Sequence, residues 1–163
     1  MPSPSERWPT QGNIKAVFGE PGNAKCTAGI CELAYPMRIA WDLDHTIKRF
    51  RCHALVTLPL ERIFAATLKE YGLPQVQKLG LDIFGGCYNF RQMRGGKAWS
   101  MHAWGIAVDL DPEHNQLKWG KDKARFAKPE YEAFWKIVEG EGATSLGRAA
   151  NMDYQHFQFA RLR

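Results

Sequence analysis

Apolar residues recur at helical spacing in two segments of the chain. The first segment runs from about Leu58 to Tyr71, and its apolar positions are Leu60, Ile63, Phe64, Leu68 and Tyr71. The second runs from about Pro129 to Glu139, and its apolar positions are Tyr131, Phe134, Trp135 and Val138. A proline lies near the start of each segment and a glycine directly follows each end, as is usual at helix boundaries. The spacing therefore predicts two amphipathic helices.

Short apolar runs outside these helices predict four strands. They lie at Met37–Trp41, Leu81–Phe84, Ile106–Leu110 and Tyr154–Phe159. Residues 1–35 are rich in glycine and proline, which is typical of an irregular arm packed on a core. Helices that flank a small antiparallel sheet predict an α+β fold. A length of 163 residues suits one domain spanning residues 1–163.

The strand "GIAVDL" has one apolar face and one unusual face. Isoleucine, valine and leucine alternate with glycine, alanine and Asp109, so the acid and two small residues share the face opposite the core. Small neighbours leave space for another group to approach the carboxylate. His102 lies seven positions before Asp109, which is the wrong parity for one straight strand. We therefore predict that Gly105 bends the chain and lets both side chains converge.

The last predicted strand, within "DYQHFQF", follows the same logic. Phe157 and Phe159 point one way, whereas Tyr154, His156 and Gln158 point the other way. Asp153 lies three residues before His156 and can lean over the same place. Two imidazoles and one carboxylate are a common ligand set for a catalytic zinc ion, and a further carboxylate can transfer protons. From the residues alone, a polar network in the core is the alternative.

The basic charge of the chain favours anionic partners in general. The net charge is +5 and the pI is about 9.1, which suits nucleic acid, anionic lipid or an acidic cell wall. The densest basic run, Lys118–Lys128, is interrupted by an aspartate and by apolar residues, and no nucleic-acid-binding module is recognisable. We therefore predict a solvated loop there and no nucleic-acid partner.

The sequence has no apolar segment typical of a signal peptide or of a membrane anchor. The N-terminus has no apolar stretch of a signal peptide, so we predict synthesis in the cytoplasm and no membrane insertion. The four cysteines have no zinc-finger spacing and are predicted to be reduced and buried; they are Cys26, Cys31, Cys52 and Cys87.

Two motifs resemble those of a known family. "SMHAWGIAVDL" fits the pattern S-x-H-x-x-G-x-A-x-D of the zinc D-Ala-D-Ala metallopeptidase group, and "MDYQHFQF" resembles its second motif. The group includes VanX- and VanY-like enzymes and phage endolysins. Aspartate in the second motif is similar to the L-alanyl-D-glutamate endopeptidase branch, and "GGCYNFRQMRGGKAWS" and "DLDPEHN" look like phage members. The resemblance covers Gly85–Phe159 and implies a Hedgehog/DD-peptidase-like fold.

The resemblance implies roles for the candidate site residues. It implies one zinc ion per chain, held by His102, Asp109 and His156. It implies Asp153 as the general acid and base. The alternative for Asp153 is a structural carboxylate that caps the turn before its strand.

The resemblance also implies an arginine that binds a substrate carboxylate. "YNFR" points to Arg91, and Arg94 is the competing candidate. Ser100, on the same approach to the motif, is either a partner that orients a metal ligand or a turn former. Trp99 and Trp104 flank the motif and either form a peptide-binding wall or pack in the core.

These roles predict a zinc peptidase that hydrolyses peptidoglycan stem peptides. We expect an L-alanyl-D-glutamate endopeptidase that serves as a phage or prophage endolysin. We expect it to be a monomer that reaches the cell wall after release into the host cytoplasm or periplasm, with a holin-type partner giving access. A D-alanyl-D-alanine carboxypeptidase or dipeptidase with the same site is one alternative. A non-catalytic, zinc-containing wall-binding module is another, and a nucleic-acid-binding protein rests on charge alone.

Overall fold

The computed structural model describes residues 6–163, which form one β-sheet with helices packed against it. The strands within this range are β1 (Gly29–Ile39), β2 (Asp42–Cys52), β3 (Ile83–Gly86), β4 (Ala107–Leu110), β5 (Thr144–Ser145) and β6 (His156–Gln158). The α-helices within it are α1 (Ile14–Phe18), α2 (Thr57–Tyr71), α3 (Leu73–Lys78), α4 (Glu132–Gly140) and α5 (Leu146–Ala150). Short 3-10 helices lie between these elements.

The sheet is open and has the strand order β2-β1-β3-β4-β6-β5. Neighbouring strands are antiparallel except for β1 and β3, which run parallel. This parallel pair arises because the chain leaves β2 and crosses through α2 and α3 before it returns beside β1. The predicted α+β class is therefore confirmed, and the sheet is mixed and larger than predicted.

The β1–β2 hairpin is the part of the fold that the sequence pattern showed least clearly. β1 begins at Gly29, so the last residues of the predicted irregular arm 1–35 belong to a strand. Pro36 lies inside β1, where the pairing with β2 changes register between Glu32 and Met37. A proline has no backbone N–H to donate to the neighbouring strand, so it is tolerated where the ladder of hydrogen bonds is interrupted. β2 was not predicted, because most of its side chains are exposed and it has no apolar alternation.

The two predicted helices are confirmed as the elements that cover the core face of the sheet. α2 has the predicted extent and packs against β1 with a buried face of Pro59, Leu60, Ile63, Phe64 and Thr67. The predicted first turn of α4 is a separate 3-10 helix at Pro129–Tyr131. The Phe157 ring on β6 contacts Phe64 of α2 and Phe134 of α4. No helix among residues 6–163 is both long and apolar enough to cross a membrane.

The N-terminal segment closes one side of this core. The Trp8 ring lies 6.0 Å from Phe18 and 5.2 Å from Phe159, measured between centroids. Its indole N–H donates to the Glu141 carbonyl oxygen at 2.9 Å. The cysteine prediction is confirmed for the thiols, since all four are free and buried. These contacts fix the first described residues to the body of the domain.

Candidate metal centre

Two of the predicted metal ligands form a direct pair across the sheet. Asp109 on β4 lies opposite His156 on β6 in the antiparallel register. Directly opposed residues point to the same face, here the face away from Phe157 and the core. The Asp109 Oδ1 and His156 Nδ1 atoms are 3.0 Å apart. The alternation along the two strands therefore places these side chains as predicted.

A tight bend brings the third predicted ligand to this pair. His102 lies on the 3-10 helix Met101–Trp104, whose first turn is capped by Ser100: the Ser100 Oγ accepts the backbone N–H of His102 at 3.2 Å. The helix ends at Gly105 with a φ of 69°, and a Cβ there would lie 2.3 Å from the Cys26 carbonyl oxygen. Only glycine fits this left-handed turn. The bend brings His102 Nε2 within 3.0 Å of Asp109 Oδ2.

The outer nitrogens of both histidines are held by carbonyl oxygens. His102 Nδ1 lies 2.7 Å from the Cys87 backbone oxygen, and His156 Nε2 lies 2.8 Å from the Gln158 side-chain oxygen. A carbonyl oxygen only accepts hydrogen bonds, so each outer nitrogen must donate one. The inner nitrogens, His102 Nε2 and His156 Nδ1, are then free to bind a metal.

The orientation of the Gln158 amide is fixed independently. Its nitrogen donates to the Ala160 carbonyl oxygen at 3.1 Å and to the Gln11 side-chain oxygen at 2.7 Å. The amide oxygen must therefore be the atom that faces His156. This contact explains why the His156 ring presents Nδ1, rather than Nε2, to the cluster.

The three inner atoms fit a zinc ion in chemistry and spacing. His102, Asp109 and His156 each offer one ligand atom, and these atoms lie within 4.8 Å of one another. Two neutral imidazoles would point lone pairs at carboxylate oxygens only 3.0 Å away, which is repulsive unless a positive charge lies between them. Ligands about 2.1 Å from a tetrahedral zinc ion are roughly 3.4 Å apart, close to these separations. This arrangement favours a cation bound between the three side chains.

The electrostatics of the cluster agree with this conclusion. Burial raises the pKa of Asp109, but the neighbouring His102 and His156 outweigh burial and hold that pKa well below its usual range. Burial lowers the pKa of His156, but its hydrogen bond to Asp109 and the Asp109 charge outweigh this effect and raise the pKa. The site thus stabilises an ionised carboxylate with positive charge beside it.

Asp153 is a second carboxylate beside the cluster. Its Oδ2 lies 3.9 Å from His156 Nδ1, and its backbone is held in the left-handed region with a φ of 55°. The Asp153 N–H donates to the Leu117 carbonyl oxygen at 2.8 Å, and the Asp153 carbonyl oxygen accepts the His156 N–H at 3.0 Å. Burial raises the pKa of the Asp153 carboxyl to about 6. Such a carboxyl can both accept and release a proton near neutral pH.

A cleft of about 340 Å³ opens over His102 and Asp109. Both predicted substrate-binding arginines, Arg91 and Arg94, line it. Arg91 is half-buried and near enough to Asp153 for its charge to act on that carboxyl, whereas Arg94 is exposed.

The other predicted residues near the motif lie outside the cleft lining. Ser100, also predicted as a substrate-binding residue, is buried, and its Oγ accepts the backbone N–H of His102. Trp104 is buried, and its indole N–H donates to the Gly19 carbonyl oxygen at 2.8 Å. Trp99 stacks on Phe90 with centroids 4.7 Å apart. Both tryptophans are packing residues in this structure.

Several residues of the site were missed by the sequence analysis. Gln158 was placed on the correct face of its strand, and its position two residues after His156 was the available signal. The Cys87 carbonyl, Trp41 and the pair Gly85–Gly86 also border the cleft or the cluster. Their contribution depends on sheet topology, which the local pattern does not contain.

The comparison with protein families agrees with the motifs. Residues 94–159 match a family model described as D-alanyl-D-alanine carboxypeptidase. The matched segment is about two fifths of the chain and contains the His102, Asp109 and His156 cluster together with Asp153. The match confirms the resemblance to the VanY-like zinc D-Ala-D-Ala metallopeptidase group, and with the cluster it indicates a metallopeptidase. No curated protein and no solved structure matches the chain.

Proposed function

We propose that this protein is a zinc-dependent L-alanyl-D-glutamate endopeptidase that hydrolyses peptidoglycan stem peptides. The observation that carries the proposal is the cluster of His102, Asp109 and His156 with Asp153 beside it. His102 and Asp109 of this cluster line an open cleft. The family match supports a zinc peptidase or carboxypeptidase that acts on peptidoglycan. Aspartate, and not glutamate, at position 153 favours the endopeptidase branch that the motifs resemble.

The two histidine ligands are oriented before a metal binds. The Cys87 carbonyl and the Gln158 amide orient the two imidazoles, so little side-chain entropy is lost on binding. A bound zinc ion would polarise the peptide carbonyl and lower the pKa of a water molecule.

Asp153 supplies the proton transfer in this proposal. Its carboxylate would accept a proton from the attacking water and deliver it to the nitrogen of the departing amine. A carboxyl whose pKa is raised by burial suits both steps better than an exposed one. Asp153 has a left-handed backbone conformation, and its carboxylate lies 3.9 Å from His156 Nδ1, beside the cluster.

Arg91 binds the substrate carboxylate in this proposal. The guanidinium can hold a carboxylate through two parallel hydrogen bonds, which a lysine cannot do. In a stem peptide, the α-carboxylate of D-Glu is attached to the carbon that bears the leaving nitrogen, so it would lie near Asp153. Arg91 suits this role because it lines the cleft and is half-buried, whereas Arg94 lines the same cleft but is exposed.

A D-alanyl-D-alanine carboxypeptidase is the second candidate function. The description of the matching family favours it. The terminal D-Ala also carries a carboxylate next to its nitrogen, so the same arginine would serve. The two functions differ in the product that they release.

The cellular setting is also part of the proposal. We place the enzyme in a phage or prophage lysis system, as a monomer that reaches the wall with the help of a holin-type protein. The net charge of +5 suits attraction to anionic wall polymers.

Mass spectrometry of fragments released from purified peptidoglycan tests the proposal. The wild type is compared with His156→Ala, each with and without a chelator. A new peptide with N-terminal D-Glu, absent for the variant and with chelator, is the expected result. Release of D-Ala would assign the carboxypeptidase instead. Retained zinc without any product would contradict both and support a non-catalytic wall-binding module.

A further inference from the structure

The tip of the β1–β2 hairpin presents an exposed tryptophan to the cleft. Trp41 lies in the turn between the two strands, and 71% of its surface is accessible, the highest value among the large apolar side chains described. By contrast, Trp8, Trp104 and Trp135 are buried. Trp41 lines the same cleft as His102 and Asp109. An indole kept in water beside a reactive site is well placed to bind a ligand.

A glycine lies on the surface between Trp41 and the cluster. The Ala40 N–H donates to the Phe84 carbonyl oxygen at 2.9 Å, which ties the hairpin tip to β3. β3 then continues through Gly85 and Gly86, and Gly86 pairs with Asp109. A Cβ at Gly86 would meet nothing within 4 Å, so the space above it is open. A Cβ at Gly85 would instead meet atoms of Asp109 and Pro112 at 3.0–3.2 Å. The open surface therefore lies over Gly86, where a flat group can lie between the indole and the metal ligands.

The order of strands gives the cleft a direction. Across the sheet, Trp41 is at the β1 end, Asp109 is in the middle, and His156 is on β6 with Asp153 beside it. If Asp153 protonates the leaving nitrogen, the amine side of the substrate lies at the β6 end. The acyl side then extends over Gly86 towards Trp41.

The chemistry of the stem peptide identifies the group on that side. The acyl side of the L-Ala–D-Glu bond is a single L-alanine, which is joined to the lactyl group of an N-acetylmuramic acid. The next group is therefore a sugar ring, whose C–H face can stack on an indole while its hydroxyls stay in water. Asn89, an exposed amide in the cleft lining, can hydrogen-bond the sugar's polar groups. At a D-Ala–D-Ala bond, four residues of about 3.4 Å each would intervene.

We infer that Trp41, with the open surface over Gly86, is a binding subsite for the sugar ring that carries the stem peptide. This inference rests on the proposed L-alanyl-D-glutamate endopeptidase function. It makes the enzyme selective for peptides still attached to the glycan over free peptides.

Paired substrates test the inference. The first is an N-acetylmuramyl peptide that contains the L-Ala–D-Glu bond, and the second is the same peptide without the sugar. Cleavage of both is measured for wild type, Trp41→Ala and Trp41→Phe. Leu43→Ala is the matched control, because Leu43 is an exposed apolar residue of the same hairpin and does not line the cleft.

We expect Trp41→Ala to lower kcat/KM for the muramyl peptide about 3–10-fold and to leave the free peptide within twofold. Trp41→Phe should retain most of the preference, and Leu43→Ala should retain all of it. An equal loss on both substrates, or no loss on either, would overturn the inference while the proposed function stands. If the wild type cleaves the L-Ala–D-Glu bond in neither substrate, the proposed function fails, and the inference fails with it.

Discussion

The β4–β6 pair and the β1–β2 hairpin border the same cleft but are built differently. β4 and β6 are four and three residues long, and six of their seven residues are buried. β1 and β2 are eleven residues each, and β2 is an edge strand with mostly exposed side chains. The short pair supplies Asp109 and His156, whereas the long hairpin supplies Trp41. The buried strands position the predicted metal ligands, whereas the exposed turn offers a surface for contact with a substrate.

This difference predicts that substitutions in the two regions have very different effects. His102→Ala removes a metal ligand, so we expect zinc binding to be lost and activity to fall on the order of a thousandfold or more. Metal analysis and cleavage of peptidoglycan check this result. His45→Ala is the control, because His45 is an exposed histidine on β2. A large loss of zinc in the control would contradict the division between the two regions.

The next effect concerns proton transfer without metal loss. Asp153→Asn keeps the shape of the side chain and removes its basic group. We expect kcat to fall about 10²–10⁴-fold while the zinc content stays near one per chain. Asp122→Asn, at an exposed position, should leave both quantities unchanged. Loss of zinc in Asp153→Asn would instead make this residue a part of the metal site.

The bend before β4 is predicted to matter for stability. Gly105→Ala places a Cβ 2.3 Å from the Cys26 carbonyl oxygen and strains a φ of 69°. We therefore expect the free energy of unfolding to fall by about 2–4 kcal/mol. Gly140→Ala is the matched control, because a Cβ there meets nothing within 4 Å and lies at the end of α4. Chemical denaturation of both variants measures the difference. Equal stability of the two variants would show that the backbone at position 105 accommodates a side chain without an energetic cost.

The smallest predicted effect sharpens the role of the hydrogen bonds around the cluster. Gln158→Ala frees the outer nitrogen of His156, so zinc affinity should fall about 10–100-fold with the fold intact. Competition with a chromogenic chelator measures the affinity. Gln116→Ala, at an exposed position, serves as the control. An unchanged affinity for Gln158→Ala would mean that the ring is held by other contacts.

The part of the fold that faces the core could be predicted from sequence. Alternation in the last two predicted strands placed Asp109 and His156 on one face, and the parity of His102 required the bend at Gly105. Both results follow because burial of one face imposes a strict pattern on a strand. The roles of the cluster residues stay predictions until metal binding and cleavage are measured.

The remaining features depend on distant contacts. β2 has no core face, so no apolar pattern identifies it. Trp41 reaches the cleft because β1 lies beside β3, although more than forty residues separate them in the chain. Gln158 was seen as a polar residue on the metal face, but its role became clear only through its contacts with His156 and Gln11. Local patterns contain no information on such pairings.

The hydrogen bond between Gln11 and Gln158 has a consequence for how the protein folds. The two residues are 147 positions apart, and Gln158 in turn orients His156. Folding must therefore bring two distant segments together before the His156 ring is fully braced. Contacts between residues so far apart in sequence carry a large loop-closure cost and form slowly. The predicted metal ligands thus reach their final arrangement only once the segment around Gln11 has packed against β6.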